Sequence, residues 1–404
     1  MDAAFEWRLK KMKRVIAVIL VLCMALSLCA CSSSGSGSAS GEKVIKIGVF
    51  EPSSGDSASG GKKEILGMQY ANSQEPTVTL GGETYKVELV YGDNGSSTDK
   101  APSAASSLVS AGVSVVLGSY GSGVSMAGGP KFEEAGIPAI GITCTNPAVT
   151  AGNTHYFRAC FIDSFQGPVL ANYAYDNLKV KKAYCLSKLG DDYSGGLVSY
   201  FTKQFEAKGG EVVKAEFPEG NSDFTSYIAN AKKEGCGVFY APISIEAAQL
   251  VINQAASQGL GMPLLAGDTW DSNVILEAAK GTDVEIDVTT FYADGTNKDF
   301  EQKIKDWINA DSTNLKNNGG NDTLSAVTVM GYDAYMVALE ALKAAGSTDP
   351  AAVMKALPTV SYDGITGTIS FDENGDAKVK TAYVKTVDTK TGTWVGGGSV
   401  TMDE

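Results

Sequence analysis

Short β-rich runs alternate with longer helical runs through most of this 404-residue chain, and that rhythm restricts the fold more than any other feature. Strands are predicted at 44–50, 85–91, 113–117, 137–140, 182–187, 211–216, 237–240, 263–265 and 287–292. Helices are predicted between them, at 60–74, 99–111, 124–135, 165–178, 194–208, 224–233 and 245–258. The run Val113-Ser-Val-Val-Leu117 is apolar enough to be covered on both faces, as in a parallel sheet flanked by helices. Strand–helix alternation implies right-handed βαβ units. About ten such strands exceed one comfortable sheet, so the expected fold class is α/β with two doubly wound lobes. The end of the chain differs: a long helix is predicted at 324–345. A hairpin is predicted from 366–371 and 378–387, around Asn374-Gly375.

The N-terminus reads as an address. Residues 8–14 carry five positive charges, and an apolar run follows from Val15 to Ala30. That run would be roughly 24 Å long as a helix, short of a membrane span of about 20 residues, and it fits a signal-peptide core. Met12 opens a neater signal than Met1, so Met12 is the expected start. Leu28-Cys29-Ala30-Cys31 resembles a bacterial lipobox with Cys31 as the lipidated residue, and Ser32 to Gly41 is a Ser/Gly tether. The expected layout is a signal peptide at 1–30, a lipidated Cys31 with its tether at 31–43, and an extracytoplasmic body anchored to the cell membrane.

Composition narrows the function. The net charge is −13, and removing the +3 of residues 1–30 leaves −16 on the rest, which argues against nucleic acid as partner. A single histidine, His155, excludes sites built from several. Cys144, Cys160, Cys185 and Cys236 form no CxxC and are expected to be free, buried thiols. Gly55 to Lys63 misses the P-loop pattern, Gly118 to Gly123 is not GxGxxG, and there is no GxSxG. Asp372 to Asp376 has its glycine misplaced for an EF-hand. No nucleophile, base and orienter come together, so no catalytic residue, metal or cofactor is expected.

What remains are small polar residues where strands end. Ser119-Tyr-Gly-Ser122 follows the strand ending at Leu117, and Gly141-Ile-Thr-Cys-Thr145 follows the strand ending at Ile140. Ligands of open α/β sheets bind beyond the carboxyl ends of strands, and a helix N-terminus there suits a carboxylate. Helix caps and turns would also explain such residues.

Four segments add a specific resemblance: 45–71, 118–150, Tyr156-Phe-Arg-Ala-Cys-Phe-Ile-Asp-Ser-Phe-Gln-Gly167, and Leu265-Ala-Gly-Asp-Thr-Trp-Asp-Ser272. They are similar, in order, to the leucine/isoleucine/valine-binding proteins, solute receptors of ABC importers. The resemblance implies a Venus-flytrap fold of the periplasmic binding protein-like I type, two Rossmann-like lobes with three crossovers near 161–164, 290–292 and 361–363. The lobes would then be 44–162 plus 291–361, and 163–290 plus 362–404. It also implies ligand contacts at Ser122, Thr143, Cys144, Thr145, Tyr193 and Asp268, the last receiving an α-ammonium. Ser59, Tyr120, Ile243 and Trp270 would complete the pocket. Ala241-Pro-Ile-Ser244 and Ser59-Gly60 depart from the family's aromatic residues, which leaves the preferred side chain open. The implied partners are a free amino acid, a permease and an ATPase, with the receptor itself a monomer. Rival readings are a ligand sensor, an amide or urea binder of the same fold, and a hydrolase using Cys144.

Overall fold

The computed structural model describes residues 42–379 and 381–401. The signal segment, Cys31 and all but the last two tether residues lie outside the described residues. The first sheet contains β1 (Val44–Glu51), β2 (Thr77–Leu80), β3 (Glu83–Asp93), β4 (Val115–Leu117), β5 (Ala139–Gly141) and β6 (Tyr156–Arg158). Their spatial order is β2-β3-β1-β4-β5-β6, and every pairing is parallel except β2 with β3. That antiparallel pair was not read from the sequence. It closes on Gly81-Gly82, both at positive φ (56° and 87°), as a two-residue hairpin turn requires.

The second sheet contains β7 (Lys182–Lys188), β8 (Glu211–Phe217), β9 (Val238–Tyr240), β10 (Leu264–Ala266) and β11 (Ile286–Thr290). It is completed by two late strands introduced below. Helices cover both faces. They are α1 (Ala58–Gln74), α2 (Ala101–Ser110), α3 (Ser122–Glu134), α4 (Asp163–Asn172), α5 (Asp192–Ala207), α6 (Thr225–Lys233), α7 (Ile245–Ser257), α8 (Asn273–Ala279), α9 (Lys298–Ala310), α10 (Ser312–Asn317), α11 (Ala326–Ala345) and α12 (Pro350–Ala356).

Alternation along each strand feeds two cores per sheet. In β1, Ile45, Ile47 and Val49 face a core shared with α11, while Phe50 faces one shared with α2 and α3. In β7, Tyr184 and Leu186 face one core of the second lobe, and Ala183 and Cys185 the other. Burial of both faces explains why these strands read as apolar runs. α1 and α11 touch backbone to backbone: a Cβ on Gly67 or Gly331 would overlap the carbonyl of Thr328 or Glu64. This contact fixes α1 against the first lobe.

The chain crosses from the first lobe to the second around residues 161–163. Phe161 belongs to the first lobe's core, and α4 packs with α5 in the second. It returns after β11, since Phe291 and Tyr292 again join the first core. The third crossing is later than the expected 361–363. β12 (Ser361–Gly364) and β13 (Gly367–Ser370) form a separate hairpin, not the expected pairing of 366–371 with 378–387. Buried Asp333 of α11 pins it to the first lobe by accepting from the N–H groups of Ile365 (2.9 Å) and Thr366 (2.8 Å). Ile369 and Phe371 join the first core, and the Asn374-Gly375 turn is closed by a bridge between Phe371 and Ala377. Only then does β14 (Thr381–Asp388) pair antiparallel with β11 and with β15 (Thr393–Thr401), giving the order β15-β14-β11-β10-β9-β7-β8. Residues 362–379 therefore pack on the first lobe.

Candidate ligand-binding cleft

The carboxyl ends of both sheets face a common cleft. In the first lobe, the loop after β4 leads into α3, whose first residue is Ser122. Ser122 is buried, and its Oγ accepts from the Asn146 N–H at 3.1 Å. The loop after β5 carries Thr143, Cys144 and Thr145. It is held from behind by Arg158, which has no solvent exposure. Nη1 donates to the carbonyls of Cys144 (2.9 Å) and Asn146 (2.7 Å), and Nη2 donates to Thr150 Oγ1 (2.7 Å). Nε donates to Asp376 Oδ1 at 2.5 Å. One buried guanidinium thus fixes the loop by the planar fork of donors that only arginine offers.

The three loop residues have different fates. Thr145 is buried with an unpartnered hydroxyl. The Thr143 hydroxyl is occupied, donating to Glu64 Oε1 of α1. Cys144 sits in the core with Phe132, Val149 and Tyr156, and burial pushes its thiol up to about 11. It remains a protonated thiol in that core, which counts against Cys144 as a nucleophile. All four body cysteines are free and buried.

In the second lobe, the side chain of Asp191 caps α5 by accepting from Ser194 N–H at 2.8 Å, which sets Tyr193 at the cleft. The Tyr193 hydroxyl donates to Asp268 Oδ1 at 2.9 Å, and Gln166 Nε2 donates to the same oxygen at 2.6 Å. Asp268 Oδ2 has no partner. Burial pushes this carboxyl up to about 7, against the stabilising bond from Tyr193. Ile243 and Trp270 do not line the cleft. They sit in the second lobe's core, where Trp270 Nε1 donates to the Ile243 carbonyl at 3.1 Å. Ser59 is half-buried at the start of α1, and the Tyr120 ring lies against Gly60 one residue later.

The two walls enclose a cavity of about 110 Å³, lined by Tyr120, Ser122, Tyr193, Ser244 and Thr269 among others. The lobes touch across it. Lys188 pairs with Asp56 at 3.2 Å, and Asn146 Nδ2 donates to the Asp192 carbonyl at 2.7 Å. Fully buried Lys63 of α1 reaches Ser272 and Asn273, and burial lowers its pKa to about 8. The sequence reading missed Arg158, Gln166, Lys63 and two buried glutamates, Glu51 and Glu64. Glu51 ends β1, and a charged residue at the carboxyl end of a central strand was a usable signal.

A model of the family described as periplasmic binding protein matches residues 44–393. The chain belongs to the periplasmic binding protein family. Among curated relatives of this binding protein, the Leu/Ile/Val-binding protein homolog 1 of Brucella suis biovar 1 is 30% identical over 83% of this chain and 88% of its own. A leucine-binding protein LivK from Thermotoga maritima is 31% identical with a TM-score of 0.78, over 89% of this chain and 99% of that one. A LivJ substrate-binding protein from Streptococcus pneumoniae, solved in complex with isoleucine, is 26% identical with a TM-score of 0.78, covering 89% and 100%. The two-lobed α/β fold read from the sequence is the type I fold of these proteins. The relatives carry the names of binding proteins, not of enzymes.

Proposed function

We propose that this binding protein is the extracytoplasmic receptor of an ABC importer, capturing an amino acid of the branched-chain type between its lobes. Asp268 carries the reading. Its buried carboxyl has one oxygen held by Tyr193 and Gln166 and the other unpartnered, and Tyr193 and the adjacent Thr269 line the cavity together with Ser122 and the N-terminus of α3. A zwitterion needs that pairing of an ammonium acceptor with N–H and O–H donors for a carboxylate. The ligand docks first on the first-lobe donors, Ser122 and Thr145. The second lobe then closes with Tyr193 and Asp268 by hinge motion at the three crossings. The closed form delivers its cargo to a permease driven by an ATPase. Cys31 carries the lipid that holds the receptor, as a monomer, at the membrane. The resemblance of the named relatives supports the ligand class.

A thermal-shift screen of the purified protein against free amino acids tests this, because a ligand that binds only the native state raises the melting temperature. Branched-chain amino acids should give the largest rise, and no rise with any amino acid would refute the reading. Cys31→Ser should abolish incorporation of a labelled fatty acid in the producing cell. Labelling that persists in C31S would exclude the anchor.

A further inference from the structure

α1 carries glycine at its third and fourth residues, Gly60 and Gly61, where neither has a positive φ. Glycine weakens a helix, so its use there has to be sought in what approaches it. A Cβ at 60 would overlap three carbons of the Tyr120 ring, the third of them at 2.7 Å. A Cβ at 61 would lie 2.7 Å from both Cγ and Cδ of Pro52. Tyr120 and Pro52 both line the cavity between the lobes. The two glycines therefore let two wall residues settle against α1, and the room gained is on the ligand's side.

The chain around Tyr120 is fixed. Its N–H donates to Glu51 Oε2 at 2.8 Å, and Asn94 Nδ2 donates to Oγ of the preceding Ser119 at 2.9 Å. Two residues on, Ser122 begins α3. With the backbone held and α1 behind it, the ring can give way only toward the cavity. The charged lining residues already have partners: Asp56 pairs with Lys188, and Asp191 accepts from the Ser194 N–H. Pro52, Tyr120 and Val124 supply apolar surface for a ligand side chain.

We propose that the Tyr120 ring, seated on Gly60, sets the size of the ligand side chain that this cleft admits. Tyr120 determines specificity, and Gly60 is its positioning residue. The inference rests on the amino-acid reading above and adds the residue that sorts aliphatic side chains by bulk.

Calorimetry of the purified protein with leucine, alanine and phenylalanine tests it. Gly60→Ala places a methyl where the ring now lies, and the ring must move about 1 Å toward the ligand to regain ordinary contact. Leucine affinity should fall about tenfold and alanine affinity much less, because overpacking acts on the larger side chain. Tyr120→Leu should work the other way, improving phenylalanine about tenfold relative to leucine. In that background G60A should no longer matter. Y120L adds no methyl, so it keeps the selectivity test open should G60A fail to fold. An unchanged leucine-to-alanine ratio in G60A, an unchanged phenylalanine-to-leucine ratio in Y120L, or the same leucine loss from G60A with and without the ring would overturn the inference and leave the amino-acid reading intact. A parent protein that bound none of the three probes would count against that reading instead. A second readout needs no ligand. In the free protein labelled with 3-fluorotyrosine, the Tyr120 fluorine resonance is the one lost in Tyr120→Phe, and G60A should shift it. A Tyr120 resonance unmoved in folded G60A would overturn the inference even if no amino acid bound.

Discussion

The two walls of the cleft are built by opposite means. On the first lobe, Arg158 ties the 143–147 loop to the body through bonds to Cys144, Asn146, Thr150 and Asp376, and Ser122 is bonded to Asn146. The donors there are fixed before anything arrives. On the second lobe, Tyr193 and Gln166 both aim at one oxygen of Asp268, and the other oxygen has no partner. The first wall is a rigid rack of donors, and the second is an acid braced on one side and unsatisfied on the other. This difference separates stability from recognition. Damage to the first wall should unfold the lobe, whereas damage to the second should spare the fold and remove the ligand.

Arg158→Ala gives the largest expected effect. It strands the Asp376 carboxylate and several buried carbonyls, and breaking such a buried pair costs about 4 kcal/mol. A urea melt should show most of this as lost stability. If R158A unfolded at the parent midpoint, the loop would owe its order to something else.

Asp268→Ala should do the reverse. The free protein should melt no lower than the parent, because a buried carboxyl lacking a counter-charge has been removed. Affinity for an amino acid should fall by about 3 kcal/mol, since a buried ammonium loses its partner. Calorimetry that found unchanged affinity would transfer the ammonium to another residue or favour an amide or urea ligand. An amide binder would not need the acid.

A pH series sharpens the same contrast. Burial raises Asp268 to about 7 and Glu64 to about 8, well above their values in the unfolded chain. Between about pH 4 and 7 the native state therefore holds protons that the unfolded state has lost. Stability of the free protein should then fall as pH rises through that window, by up to about 1.4 kcal/mol per pH unit for each such group. Lys63, lowered to about 8, works the other way and only above that pH. Asp268→Asn should flatten the decline in urea midpoints between about pH 5 and 7. An undiminished slope would mean that Asp268 is ionised throughout.

How far the sequence reaches follows from the range of each interaction. The parallel strands were legible because β1, β4 and β7 carry their burial in local apolar runs. The position of Ser122 and Thr145 beyond the ends of β4 and β5 was legible because strand-end position is also local. The third crossing was not, since it depends on Asp333 binding residues 32 and 33 positions away. Thr143 was expected to face the ligand, but its hydroxyl serves Glu64, 79 positions away. Cys144, Ile243 and Trp270 were placed by family position, which cannot say whether a side chain turns to the cleft or the core. Arg158 and Asp376 are 218 positions apart and have no local signature at all.

The smallest effect tests whether the first wall recognises anything beyond holding itself together. Ser122 is the first residue of α3, so its backbone N–H belongs to the helix's unsatisfied first turn, which no substitution of its side chain removes. Its hydroxyl has one proton to give and already accepts from Asn146 N–H. Ser122→Ala therefore leaves the helix dipole and the N–H groups in place and deletes a single O–H. Affinity for an amino acid should fall by about 1 kcal/mol, the usual net worth of one hydrogen bond, with little change in melting temperature. If S122A lost affinity as heavily as D268A, the carboxylate would depend on that hydroxyl more than on the helix terminus. If it lost stability instead, the Asn146 contact would be its real work, and the first wall would be scaffold throughout.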